Sequence, residues 1–163
     1  MKLGILGILL GLAIVVVGFF TAVASAKFGS ASVPPGFTPL FFVVVPLFDI
    51  FLFVLFFGAA IFYRKRPAIH KRMMLLTVLN FLPPALGRFP SDSLASLGPL
   101  FFLGIPTILA LTFLVYDSWT NRKVNFYYLA GAIILIASYP LRFMLAGTEA
   151  WTNFASWLTT WAA

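Results

Sequence analysis

Asp49, Arg88 and Arg142 are the residues of this chain best placed to do chemistry in an apolar setting. Asp49 lies nine residues beyond Leu40 in the apolar run 40–63, about 13–14 Å along a helix. A carboxylate at that depth in a membrane is costly unless it is paired or protonated. Arg88 and Arg142 stand near the ends of two further apolar runs, and a long arginine side chain carries its head several ångströms from its backbone. Asn80, Pro84 and Arg88 fall at helical spacing and share a face. Pro83 and Pro84 remove the N–H partners of the Leu79 and Asn80 carbonyls, which must be satisfied some other way. Tyr139 adds a phenol three residues before Arg142. The expectation is a polar pocket of Asp49, Asn80, Arg88, Tyr139 and Arg142. It is either a site for an anionic or quinone-like lipophile, a proton-linked path through Asp49, or a structural Asp–Arg bridge. In each case Asp49 is expected within salt-bridge distance of Arg88 or Arg142.

A second constellation is basic: Arg64, Lys65, Arg66, His70, Lys71 and Arg72. These side chains fit lipid phosphates, and they equally serve as a signal that keeps their loop on the cytoplasmic side. His70 is the single histidine, so a haem would need a methionine as second axial partner. No cofactor is expected. A haem or a quinone would make the chain a redox subunit. Carboxylate pairs at helical spacing, a serine beside a base, metalloprotease spacing and glycine-rich phosphate loops are all missing from the sequence, so the chain does not read as an enzyme. With no cysteine, thiolate metal sites and disulfides are excluded.

The elements that must hold these residues are apolar helices. The 163 residues are 62% hydrophobic and 9% charged, with a mean hydropathy of +1.06, whereas a soluble domain carries about 25% charged residues. The fold class is therefore an all-α, polytopic transmembrane helix bundle in one domain. The spans are read as 3–25, 40–63, 69–88, 98–116 and 125–146. Ala22 to Ala26 also has the small-x-small look of a signal-peptidase site, but the run before it is nearer a membrane span in length, and a retained first span is expected. Residues 148–161 place Trp151, Phe154, Trp157, Leu158 and Trp161 near one helical stripe. They read as an interfacial helix, or as a tail packed on its own bundle or on a partner subunit. The net charge of +7 is explained by the clustered loop, without a nucleic-acid partner. That clustering sets the N-terminus inside and the C-terminus outside, in a bacterial inner membrane. The expected partners are the bilayer and a larger membrane complex or a second copy.

Pro39-Leu40-Phe41-Phe42 followed by Pro46 is echoed by Pro99-Leu100-Phe101-Phe102 followed by Pro106. Each stretch opens an inward-running span, and each return helix carries a proline and then an arginine. This suggests a parallel repeat of two helical hairpins, 39–88 and 99–142. The motif Arg64-x-Arg66-Pro67-x-x-His70-Lys71-Arg72-Met73-Met74-Leu75-Leu76, with Pro83-Pro84-Ala85-x-x-Arg88 after it, resembles a group of bacterial multi-pass inner-membrane proteins. So does the ending Ser138-Tyr139-Pro140-Leu141-Arg142 with Gly147-Thr148-x-Ala150-Trp151. The resemblance implies a membrane location and carries over no activity. His70-Lys71-Arg72-Met73 alone is similar to small proteins near haem–copper oxidases. The functions expected are an accessory subunit or a binder of a lipophilic ligand, with a small proton-coupled transporter using Asp49 as the alternative.

Overall fold

A computed structural model describes residues 2–29, 33, 36–88 and 98–160. Among these the chain is all helical, with no strand. The helices are α1 (Lys2–Phe28), α2 (Pro39–Phe42), α3 (Val44–Phe62), α4 (Pro67–Asn80), α5 (Leu82–Leu86), α6 (Pro99–Phe102), α7 (Gly104–Asn121), α8 (Phe126–Ala146) and α9 (Glu149–Thr160). Four stretches are long and apolar enough to cross a membrane: Gly4–Phe28, Pro39–Phe62, Leu100–Asn121 and Phe126–Ala146. The expected outer loop 89–97 with Asp92, the Pro34-Pro35 pair and Trp161 lie outside the described residues.

The segment expected as the third span, 69–88, is not one helix. It is α4, of 14 residues, then α5, of five. At about 1.5 Å per residue, α4 alone rises about 21 Å, short of the roughly 30 Å of hydrocarbon. The break falls at Phe81, whose N–H turns back to Val78 O. Its cause is the proline pair: Pro83 and Pro84 cannot donate to Leu79 and Asn80. The same chemistry acts twice more. α2 stops at Val43 and α6 stops at Leu103 before the longer helix begins. Pro46 and Pro106 offer no N–H to Phe42 and Phe102, so both Pro-Leu-Phe-Phe stretches form a short helix, a break and a long helix. The span expected at 98–116 also runs on to Asn121. Its polar last turn is held by Ser118 Oγ donating to Leu114 O and Asn121 Nδ2 to Asp117 O, and it stops at Arg122 in the left-handed region.

The chain divides into two compact units: Met1–Val54 with Pro140–Ala163, and Leu55–Tyr139. In the first, α1, α2 and α9 pack together around Ala22, Ala26, Val43, Val44, Ala146, Trp151 and Ala155. The four alanines let these helices approach closely. The tail, expected as an interfacial helix or as one packed on its own bundle or a partner, buries Trp151, Ala155 and Leu158 and leaves Phe154 and Trp157 exposed. The Trp151 indole N–H donates to Leu40 O at 3.0 Å, beside the break at Val43. Trp151→Phe keeps an aromatic ring but deletes the donor and part of the indole's volume. Its expected cost is about 1–2 kcal/mol, read as a lowered unfolding midpoint in detergent.

In the second unit, α4 packs along α7 and α5 against α6. The core of this unit includes Phe56, Ala60, Leu76, Ala110, Tyr128 and Leu135, all buried. Tyr128 O–H donates to Ala110 O at 3.2 Å, so its phenol is satisfied within the apolar core.

Candidate functional site

The first unit contains a buried ion pair. Asp49 stands in the second turn of α3 and Arg142 near the end of α8. Arg142 Nη1 donates to Asp49 Oδ1 at 2.6 Å, with side-chain exposures of 3% and 4%. The Arg142 guanidinium also lies over the Phe48 ring, 5.7 Å from its centroid, so an aromatic face shares its charge. One turn away from the pair on each helix, Val45 and Ala146 belong to the packed core. Chemically the arrangement neutralises a buried carboxylate with a cation that does not lose its proton. Such a pair can hold two helices together. To accept a proton or an anion, it must first separate.

The residues expected in one pocket divide between the two units. Asp49 and Arg142 belong to the first, and Asn80, Arg88 and Tyr139 to the second. Asn80 and Tyr139 are buried, and so are Thr77 and Ser138. Thr77 Oγ1 donates to Met74 O and Ser138 Oγ to Leu135 O, which is how helices carry hydroxyls through apolar surroundings. Arg88 is exposed and donates to Pro84 O at 2.7 Å. It closes its own helical turn, where the end of α5 leaves carbonyls to be capped.

The basic residues belong to the second unit. Arg64, Lys65, Arg66 and Lys71 are exposed. Arg72 is different: Nε donates to Asp117 Oδ2 at 2.9 Å and Nη2 to Oδ1 at 2.7 Å, a bidentate pair. It also donates to Ala68 O. The sequence reading placed Arg72 among residues that fit phosphates or signal topology, and ended the fourth span at 116, just short of Asp117. The overlooked signal is that an arginine opening one helix and an acid closing its antiparallel neighbour meet at the same end. His70 Nδ1–H donates to Ala60 O at 2.8 Å, so the histidine caps a carbonyl in the last turn of α3. Among the described residues, no three His, Cys, Asp or Glu side chains converge on a point that would hold a metal.

The chain matches no protein-family model, no curated protein and no solved structure.

Proposed function

We propose that the chain is a non-catalytic component of a bacterial inner membrane, an accessory subunit of a larger complex or a binder of a lipophile, with Asp49–Arg142 as its internal clamp. The observation that carries this reading is the enclosure of the pair: both side chains are almost wholly buried and joined at 2.6 Å. A ligand would have to displace packed side chains to reach them. The apolar stretches Gly4–Phe28 and Leu100–Asn121 also support it, since most of their side chains are left unburied. Surfaces of that kind meet lipid or a partner helix.

In this reading the chain crosses the membrane five times, with α4 and α5 as one broken crossing. Arg72, near the start of α4, pairs with Asp117 near the end of α7, while α5 packs on α6 at the start of the α6–α7 rod. The chain between Arg72 and α5 therefore runs from one end of a membrane-length element to the other. The two matching Pro-Leu-Phe-Phe breaks support a parallel repeat of hairpins. Lys and Arg then place residues 64–72 in the cytoplasm, and α9 outside. Because the chain has no Cys, single cysteines at exposed Ala68 and Ser156 report their sides directly. They are expected to label from opposite faces of the membrane. Same-side labelling means an even number of crossings.

The function itself is tested by extracting the tagged chain from its native membrane in mild detergent and weighing it by native mass spectrometry. A partner chain or a lipophile at fixed stoichiometry is the expected result. A chain that emerges alone and carries protons in reconstituted vesicles, with that flux lost in Asp49→Asn, contradicts this reading and supports a proton-coupled carrier.

A further inference from the structure

Three contacts gather the ends of four helices of the second unit. Tyr63, just beyond α3, meets Tyr127 at the start of α8, with ring centroids 5.1 Å apart. His70 of α4 caps Ala60 of α3, and Arg72 of α4 is paired with Asp117 of α7. The end so formed carries seven of the chain's 11 Lys and Arg. Asp117 is the one acid among the described residues of this unit, and Arg72 engages it. The remaining six cations, Arg64, Lys65, Arg66, Lys71, Arg122 and Lys123, are all exposed, and none forms an ion pair among the described residues. The carbonyl ends of the helices here are already engaged: Ala60 O by His70, Ile61 O by Arg64 N, Asp117 O by Asn121 and Trp119 O by Arg122 N. That removes much of the partial negative charge that would offset the cations.

From this end we infer a binding site for the phosphate of anionic phospholipids, independent of the Asp49–Arg142 clamp. A topology signal needs only positive charge near the ends of spans. This end has more: its one acid among the described residues is spent on locking α4 to α7, so six cations stay free of ion pairs there, Arg66 resting over the Tyr63 ring. The aromatic surroundings identify the phosphate as a lipid's. Phe62, Tyr116, Trp119 and Phe126 are large side chains left mostly exposed at the same end, Trp119 by 83%. Exposed rings beside cations match the layer where headgroups meet acyl chains. Arginine supplies forked donors suited to phosphate oxygens, and lysine a point charge.

The test uses the full chain purified in mild detergent and equimolar phosphatidylglycerol and phosphatidylcholine, with retained lipid read by native mass spectrometry. The wild-type chain is expected to retain phosphatidylglycerol about tenfold over phosphatidylcholine, the size of effect that one or two cations beside a single anionic headgroup supply at about 1 kcal/mol each. The triple variant R64Q/K65Q/R66Q is expected to lose most of that preference, and R122Q/K123Q a part of it. Both should melt with the wild type, because these side chains are exposed and the Arg72–Asp117 pair is intact. Asp49→Asn should leave the preference unchanged in whatever chain remains folded. Equal retention of the two lipids by the wild type overturns the proposal, as does a preference that survives both variants. Displacement of the lipid by inorganic phosphate at equal concentration overturns the lipid assignment in favour of a free-phosphate site.

Discussion

Asp49→Asn lowers the free energy of unfolding by about 3–5 kcal/mol, the usual cost of breaking a buried pair from one side. The substitution keeps the size of the side chain and deletes its charge. Arg142, 3% exposed at its side chain, is then left with a cation, which it cannot shed by giving up a proton. The Phe48 ring offsets only a fraction of that charge, since a cation–π contact contributes about 0.5–2 kcal/mol. Arg142→Gln is expected to cost less than Asp49→Asn, because a stranded carboxyl can neutralise itself by taking a proton. The check is the unfolding midpoint of each variant in one detergent, followed by circular dichroism. Equal losses in the two variants would contradict this asymmetry.

Gly131→Val is the second large effect, at about 1–3 kcal/mol from overpacking. A Cβ on Gly131 would collide with Leu76 Cδ1 and stand 3.5 Å from Phe56 Cε1. Leu76 is 0% exposed and Phe56 2%, so neither can swing aside into open space. Side chains of α4 and α3 thus press against the α8 backbone here, and only glycine leaves room. Leu76→Ala opens that room, so the double variant G131V/L76A should lose less stability than the two single losses added together. Strict additivity would show that the two positions do not compete for the same volume.

The long apolar helices were legible in the sequence because hydropathy over about 20 residues is a strong signal. Their bounds were less so. The polar end of α7 looked like loop, because its helix is held by contacts that composition does not reveal, chiefly Arg72 with Asp117. The proline pair was visible, and so was the loss of two helical hydrogen bonds, yet that loss splits the segment into α4 and α5 rather than bending one span. For the candidate site, depth alone argued that Asp49 needs a cation. It could not choose between Arg88 and Arg142, both of which stand near the ends of apolar runs. The rotation of α8 that aims Arg142 at Asp49 is a packing outcome, set by neighbours far apart in sequence. The tail's helical stripe was readable, while its destination on the alanines of α1 and α8 depends on close approach that one helix cannot disclose.

A double-mutant cycle on the ion pair tests the clamp most directly. Asp49→Leu and Arg142→Met remove each charge singly and then together, with unfolding free energy measured for all four proteins. Asp49→Leu should lose about 3–5 kcal/mol and Arg142→Met less, since the stranded carboxyl can take a proton, and the double should fall within about 1 kcal/mol of the wild type, because apolar side chains of similar volume replace a buried pair at little cost. Single variants that melt with the wild type would contradict the clamp and leave the two charges with a ligand or a proton to serve.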